Sequence, residues 1–139
     1  MSTHAIEKVL SANDTGETGG HQAGICVPKA SNILSFFPIL NSKLKNPREV
    51  LDITDDSGRV WAFAFIYYNN RFFGGTRNEY RLTGMTAFFR DFNLKAGDKI
   101  MLRRESARTV RITFKRASDS GVGKVLKLST TWKVIDADF

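Results

Sequence analysis

Cysteine and histidine are scarce in this chain: it has one cysteine, Cys26, and two histidines, His4 and His21. A single cysteine excludes an internal disulfide, and such low usage fits a reducing compartment. One cysteine and two scattered histidines also argue against a structural zinc site, which needs four ligands close together. We therefore expect no metal ion and no other cofactor.

Long apolar runs are missing as well. No stretch approaches the roughly 18–20 apolar residues that span a bilayer. Residues 1–11 lack the basic and apolar regions of a signal peptide. We expect no membrane partner.

Local motifs of catalysis are absent too. Metal-dependent nucleases often place Asp or Glu two residues before a lysine, yet no lysine here has an acid at that position. Neither histidine begins a His-x-Lys pair, no phosphate loop of the Gly-x-x-x-x-Gly-Lys type is present, and no serine lies in a nucleophile elbow. The sequence predicts a binding domain, not an enzyme, although catalytic residues that converge from distant positions would escape such a search.

Positive charge is abundant, and it is localised. The net charge is +7, and residues 77–116 carry eleven basic and four acidic residues, whereas the flanking segments are balanced. A concentrated positive field attracts polyanions, nucleic acids above all. A solvated basic face on an ordinary barrel is the plainer alternative.

Alternating apolar residues dominate the chain and predict strands. We expect eight strands, at 6–11, 23–27, 49–54, 59–68, 99–105, 109–115, 124–128 and 131–135, and residues 79–83 are a further candidate strand. The 59–68 strand is apolar on both faces, which suggests burial on both sides. Residues 49–68 and 99–115 should form hairpins, the first around the Asp55–Gly58 turn.

Two short helices complete the prediction. Ser31 can cap the first, which Pro38 ends. The second carries an apolar stripe at Met85, Phe88, Phe89 and Phe92, which suits packing against the barrel better than cofactor binding. The fold class is therefore a mixed, mainly-β, open pseudobarrel of seven to eight strands with two short helices, forming a single domain over residues 1–139.

Two polar, glycine-bearing loops resemble nucleic-acid readers. The first, residues 11–22, is dense in hydrogen-bonding side chains and is too polar and glycine-rich for regular structure. The second leads into a predicted strand on which Arg77, Glu79 and Arg81 share one face. Arg pairs with guanine, Asn or Gln with adenine, and Glu with the cytosine amino group, so Asn78 joins this set. Glu79 could equally orient the arginines, and a simple surface ion pair is the structural alternative.

Basic residues beyond these loops suit contacts with phosphates, which position a protein without specifying sequence. They are Lys99, Arg103, Arg104, Arg108, Arg111, Lys115 and Arg116.

At these two loops the chain resembles a known family. Residues 11–28 and 66–81 are similar to the N-terminal effector-binding domain of EcoRII-type restriction endonucleases, and the 94–98 turn into a basic strand is similar to the wider superfamily with this fold. That DNA-binding pseudobarrel is shared with plant B-three domains and with the C-terminal domain of BfiI-type enzymes. The likeness extends over roughly residues 8–135.

The resemblance implies that an N-arm (about residues 8–22) and a C-arm (about 71–81) grip double-stranded DNA from the major groove. The implied base contacts are Arg77, Asn78, Glu79, Arg81, His21, Asn13, Asp14 and Gln22. The implied backbone contacts are Lys8, Thr15, Thr18, Arg71, Thr76, Tyr80, Arg103, Arg104, Arg108 and Arg111. It also implies a restriction-modification role in the cytoplasm of a prokaryotic cell, a short GC-containing target with CCWGG as first candidate, and a separate nuclease domain or subunit.

This chain departs from the family pattern at three positions. Gly75 and Tyr80 stand where the family has lysines, and Cys26 replaces an aromatic. An altered target is therefore expected. Three alternatives remain open: a protein-interaction barrel, a complete enzyme with a convergent site, and a single-stranded nucleic-acid binder that stacks bases on Tyr67, Tyr68, Phe72, Phe73 or Tyr80.

Overall fold

The computed structural model describes residues 4–17, 24–117 and 132–135. Within them lie eight strands: β1 (Ala5–Val9), β2 (Gly24–Val27), β3 (Arg48–Thr54), β4 (Val60–Tyr68), β5 (Glu79–Thr83), β6 (Lys99–Arg104), β7 (Val110–Lys115) and β8 (Trp132–Val134). They form one sheet in the order β2-β5-β4-β3-β7-β6-β1-β8. The predicted mainly-β fold with two hairpins is confirmed. The strand predicted at 124–128 lies outside the described residues.

A side chain closes this sheet into a barrel. β2 and β8 are the outermost strands of the sheet. The indole Nε1 of Trp132 in β8 donates a hydrogen bond of 2.9 Å to the carbonyl oxygen of Cys26 in β2. Among residues 4–17, 24–117 and 132–135 the two edges are joined without a backbone ladder, and we call this junction the seam.

The remaining strand pairs are backbone ladders. β3 and β7 pair in parallel, with Ile53 opposite Val110, whereas the other described ladders are antiparallel. A parallel step between two hairpins is the feature of this topology that strand periodicity does not reveal.

In the described part of the chain, three short α-helices accompany the sheet: α1 (Ala12–Thr15), α2 (Ser31–Leu34) and α3 (Thr86–Asp91). A short 3-10 helix at Asn70–Phe73 adds to these three α-helices. The prediction of two helices is thus corrected. α2 begins at Ser31 instead of being capped by it, because Ala30 holds the cap position and provides no side-chain bond.

The extra helix, α1, lies in the segment predicted to be an irregular loop. Ser11 Oγ accepts a 3.1 Å bond from the Asp14 amide, and the Asp14 carboxylate accepts a 2.9 Å bond from the Ser11 amide. This reciprocal pair satisfies donors that a helix start leaves open. Gly16 ends the turn at a φ of 84°, a conformation that glycine adopts without strain.

Aromatic rings fill the barrel. The ring of Phe88 in α3 meets those of Trp61 and Phe63 edge to face, with centroids 5.2 and 5.8 Å apart. Phe37 stacks on Phe65 with centroids 4.5 Å apart. The packing role predicted for the Met85–Phe92 stripe is confirmed, because Met85 and Phe88 are completely buried.

The expectation that β4 is buried on both faces is wrong for its first half. Trp61, Phe63 and Phe65 point into the core, but Val60 is 58% exposed and Ala62 is exposed. At this point the outer face of the barrel carries small and β-branched side chains, and no second layer of described residues packs on it. Among the described helices, none is long and apolar enough to cross a membrane.

Candidate nucleic-acid interface

The C-arm is a hairpin braced by Asn70. The Asn70 carbonyl oxygen accepts a 2.7 Å bond from the Gly75 amide, and its side-chain Oδ1 accepts a 2.7 Å bond from the Arg77 amide. The Arg71 amide donates 2.9 Å to the Arg77 carbonyl oxygen. Gly74 completes the turn at a φ of 92°. The arm is therefore shaped by its own hydrogen bonds before any ligand arrives.

Gly75 is required by this bracing. A Cβ atom at Gly75 would lie 2.9 Å from Asn70 Cγ, closer than side-chain carbons approach. Asn70 thus occupies the space that a larger residue would need. The family's lysine at this position is replaced here by a glycine and an asparagine that act together.

Three side chains form a charged row along the start of β5. Glu79 Oε1 accepts bonds from Arg77 Nε and Nη2 at 3.3 and 3.2 Å, and Glu79 Oε2 accepts from Arg81 Nη1 at 3.4 Å. The Arg77 guanidinium also lies 3.8 Å from the centroid of the Tyr68 ring. Period-two alternation places the three on one face, as the sequence predicts. We call Arg77, Glu79 and Arg81 the charged row.

The charged row adjoins β2, the strand that follows the N-arm. Arg81 lies opposite Cys26 in the β2–β5 ladder, and Arg81 Nη2 donates 3.4 Å to the Gly24 carbonyl oxygen. Burial and then the negative charge of Glu79 raise the pKa of the Cys26 thiol. Cys26 is therefore neutral at physiological pH and leaves the charges of the row undisturbed.

Asn78 and Tyr80 lie beside the charged row, and both contact Tyr67. The Tyr67 hydroxyl donates 2.7 Å to Asn78 Oδ1, and the Tyr67 and Tyr80 rings stack with centroids 4.2 Å apart. Burial and then Tyr67 raise the pKa of Tyr80. Because its oxygen already accepts a bond, Asn78 is better placed to donate from its amide nitrogen than to pair with adenine through both atoms.

Lys8 and Asp14, predicted to contact DNA, are instead buried against each other. Their side chains are 7% and 9% exposed, and Lys8 Nζ lies 2.5 Å from Asp14 Oδ2. A buried cation and a buried anion are tolerated when paired, which explains the arrangement. We reassign both residues from DNA contact to support of the N-arm.

The rest of the N-arm is partly described. Asn13 is exposed, and Thr15 is half-buried with its hydroxyl donating 3.2 Å to the Ala12 carbonyl oxygen. Three of the predicted contacts lie outside the described residues: Thr18, His21 and Gln22. Their roles stay predictions.

The turn at 95–98 is a support of the N-arm that sequence reasoning did not identify. The Gly97 amide donates 2.8 Å to the Leu10 carbonyl oxygen, and the Leu10 amide donates 2.8 Å to the Asp98 carbonyl oxygen. The Ala96 amide donates 3.3 Å to Glu17 Oε1. Exposed Lys95 at this turn is thereby placed beside the arm.

The predicted phosphate contacts do not form one surface. With the seam closed, β7 stands four strands from β2 in either direction, and β6 stands four strands from β5. Arg103 and Arg111 lie opposite each other in the β6–β7 ladder, and their neighbours Leu102, Val110 and Ile112 point into the core. The two arginines therefore point outward on the side of the barrel away from the charged row, and their role as phosphate contacts stays a prediction.

Two further arginines of the basic window have structural contacts. Arg104 donates to the Phe36 carbonyl oxygen through Nη2 and covers the Phe36 ring, and Arg116 Nη2 donates 2.7 Å to the Phe92 carbonyl oxygen. Arg108 is exposed at the end of the β6–β7 hairpin. Arg71 and Thr76 are exposed on the C-arm, as their predicted role requires.

Exposed Lys133 is a second basic residue that sequence reasoning passed over. It follows Trp132 in β8, so it flanks the seam next to β2. Strand alternation could have predicted its exposure, because the residue that follows an inward-pointing tryptophan in a strand points outward.

No metal centre accompanies these residues. Within residues 4–17, 24–117 and 132–135, no group of three His, Cys, Asp or Glu side chains could hold an ion.

Comparisons with known proteins agree with this geometry. The family model for the N-terminal domain of restriction endonuclease EcoRII matches residues 1–107. Type II restriction enzyme EcoRII of Escherichia coli is 44% identical over 84 residues, which are 55% of this chain and 19% of that enzyme. The AP2/ERF and B3 domain-containing transcription factor RAV1 of Arabidopsis thaliana is 27% identical over 128 residues, 88% of this chain and 34% of the factor.

A solved structure supports the fold independently. The Arabidopsis FUS3–DNA complex superposes with a TM-score of 0.62 at 22% identity, covering 80% of this chain and 95% of that chain. The chain spans only about a fifth of EcoRII and a third of RAV1. The pseudobarrel, the two arms and the family match together show that the chain belongs to the EcoRII N-terminal domain family.

Proposed function

We propose that this chain is a sequence-specific double-stranded DNA-binding domain that reads the major groove with its C-arm and N-arm. The charged row carries the proposal. Both arginines are held by the Glu79 carboxylate, and Arg77 also lies on the Tyr68 ring, so their forks are fixed in direction before binding. Fixed guanidinium forks suit bidentate pairing with guanine O6 and N7.

The spacing of the arms fits a major groove. The N-arm joins β2 at Gly24. The C-arm joins β5, whose ladder with β2 ends where Val27 lies opposite Tyr80. Three residues of strand separate these points by about 10 Å, close to the groove width of about 12 Å. This spacing supports the proposal that both arms reach one groove together.

Phosphate contacts are assigned to basic residues around the arms. Arg71 lies on the C-arm, Lys95 beside the N-arm and Lys133 beside the seam. Such contacts position the domain on the duplex, whereas the charged row specifies sequence.

The target we propose is a short GC-containing site, with CCWGG as the first candidate. EcoRII is the relative with 44% identity, and the charged row supplies two guanine-reading side chains. Gly75 and Tyr80 replace two lysines of the family pattern, so flanking or central positions are expected to differ.

We further propose that the chain itself does not cleave DNA. Cleavage would be performed by a separate domain or subunit of a restriction-modification system in a prokaryotic cytoplasm. This proposal rests on the family match, which covers a recognition domain, and on the absence of any catalytic motif in the sequence.

The test is selection of bound duplexes from a random library near 0.15 M salt. The proposal expects a short enriched motif that the Arg77→Ala/Arg81→Ala variant no longer selects. Arg103→Ala/Arg111→Ala is the matched control, since it removes two arginines from the opposite side of the barrel and should select the same motif. Binding without enrichment would contradict the proposal, and so would tighter binding to single strands of the same composition.

Single-stranded binding is the second candidate weighed by this test. A stacking platform needs exposed rings. Tyr67 is buried, and Tyr80 is covered by stacking on Tyr67 and Phe65. Tyr67 and Tyr80 therefore pack against each other instead of offering a platform, whereas Phe72 and Phe73 are exposed, so the comparison with single strands decides between the two candidates.

A further inference from the structure

Phe72 and Phe73 form an exposed apolar tip on the C-arm. They are 65% and 44% exposed, and they are the only exposed phenylalanines among the described residues. Phe63, Phe65 and Phe88 by contrast are completely buried. An exposed phenylalanine forgoes the stabilisation that its burial would give, so this tip suggests a surface that is covered on binding.

The tip has a fixed position relative to the charged row. The Phe72 amide donates 3.0 Å to the Asn69 carbonyl oxygen, and the next bonds of the hairpin link Arg71 to Arg77 and Gly75 to Asn70. Phe72 and Phe73 therefore sit directly beyond the Arg71–Arg77 pair. A duplex contacted by Arg77 in its major groove would have this apolar tip a few ångströms farther along the same groove.

The base of the arm is equally firm. Asn69 is completely buried, and its side chain accepts 2.7 Å from the Asn46 amide and donates 2.8 and 3.1 Å to the carbonyl oxygens of Leu44 and Ser42. An arm anchored in this way presents its tip without a large ordering cost.

The major groove offers one apolar group at base-pair level, the C5-methyl of a pyrimidine. Thymine carries it, and cytosine carries it when methylated at C5. Phenylalanine is one of the side chains that contact this methyl group. The neighbouring Arg71 and Arg77 supply positive charge, which favours a DNA duplex over an apolar protein surface as the covering partner.

Resting on the function proposed above, we infer that the Phe72–Phe73 tip recognises the C5-methyl group of a pyrimidine in the major groove next to the guanine contacts. This gives the C-arm two adjacent readers: a polar one at the charged row and an apolar one at the tip. Burying one methyl group is worth about fourfold in affinity.

The test removes or adds that one methyl group. Once wild-type protein has selected a preferred duplex, each thymine of the site is replaced in turn by deoxyuridine, and each cytosine by 5-methylcytosine. The dissociation constants are measured for wild type, Phe72→Ala and Phe73→Ala. Ile39→Ala is the matched control, because Ile39 is 98% exposed and outside both arms.

The inference expects one substitution to change wild-type affinity about fourfold, down for deoxyuridine or up for 5-methylcytosine, and expects that difference to vanish in at least one phenylalanine variant. A loss with deoxyuridine identifies thymine as the source of the methyl group, and a gain with 5-methylcytosine identifies cytosine. The control should keep the wild-type difference. Thermal melting should show that all three variants fold like wild type.

Four results would overturn the inference. The methyl substitutions could be neutral, or their effect could persist in both phenylalanine variants; either leaves the proposed function intact and removes the tip's role. The phenylalanine variants could lose affinity equally for every sequence, including single strands. That result would show that the tip stacks on bases in general and does not recognise a methyl group. A failure to select any duplex would overturn the proposed function and the inference together.

Discussion

Glu79 contacts Arg77 through a single carboxylate oxygen, which accepts bonds from both Nε and Nη2 of the guanidinium at 3.3 and 3.2 Å. The pair is exposed enough that its contribution to stability is small, under about 1 kcal/mol. The contact instead orients the Arg77 guanidinium, because an arginine held at Nε presents the remaining edge of its fork at a fixed angle.

Glu79→Ala should reduce specificity more than affinity. Two released arginines find phosphates on any sequence, so binding to unrelated duplexes should rise while the preferred site weakens. We expect the ratio of the two dissociation constants to fall by about tenfold, near the lower end of the 1–3 kcal/mol assigned to a good base contact. Competition binding at fixed salt measures the ratio. An unchanged ratio would show that Glu79 neither orients the arginines nor reads a base.

Arg77→Ala and Arg81→Ala should each relax preference at one base pair and cost about 1–3 kcal/mol on the preferred site. Lysine at either position keeps the charge but loses the planar fork, so it should restore general affinity without restoring preference. Library selection with each variant identifies the base pair. If both variants keep the wild-type motif, the charged row is not the reader.

Lys95→Ala and Lys133→Ala should weaken all duplexes alike, and each should lower the slope of log affinity against log salt by about 1. The reason is that one released counterion accompanies each phosphate contact. Arg111→Ala, from the far side of the barrel, should leave the slope near the wild-type value. The opposite ranking would mean that the duplex lies against β6 and β7.

Asp14→Asn should destabilise the fold strongly, by about 3–5 kcal/mol, because it leaves the Lys8 ammonium buried without its partner. The double variant Lys8→Met/Asp14→Asn should recover part of that loss, since no charge then stays buried. Urea unfolding of both variants gives the two free energies, and the salt slope of the double variant for DNA should match wild type. A wild-type stability for Asp14→Asn would contradict the buried-pair assignment.

Lowering the pH should reduce the free energy of unfolding through protonation of Asp55. Burial alone would raise its pKa, but hydrogen bonds from the Ser57 hydroxyl, the Trp61 indole and the Arg59 and Ser57 amides outweigh burial and lower the pKa from 3.8 to about 2. A lowered pKa stabilises the fold above the unfolded-state value and loses that contribution as pH falls from about 4 through about 2.

We therefore expect wild type to lose roughly 1–2 kcal/mol over that range relative to Asp55→Asn, which cannot titrate. Urea unfolding from pH 5 to pH 2 makes the comparison. Parallel curves for the two proteins would rule out a stabilising role for the Asp55 charge.

Local patterns carried much of the fold and part of the site. Strand alternation located both hairpins, and it placed Arg77, Glu79 and Arg81 on one face, where the structure finds them in contact. These features depend on residues that are neighbours in sequence, so periodicity and turn chemistry are sufficient to predict them.

The features that sequence missed depend on contacts between distant segments. Lys8 and Asp14 are six residues apart in a polar stretch, and nothing local indicates that the barrel covers both. Arg111 belongs to the most basic window of the chain, yet its direction is set by the position of β7 in the sheet order. The exposed half of β4 was misjudged for the same reason, since apolar residues on two faces do not show which face acquires a covering layer.

The seam has a mechanical consequence for binding. The N-arm leaves β1, on one side of the Trp132–Cys26 bond, and enters β2 on the other side. The N-arm therefore connects two strands that lie on opposite sides of this junction. We expect the Trp132–Cys26 bond to hold the two ends of the N-arm at a fixed separation.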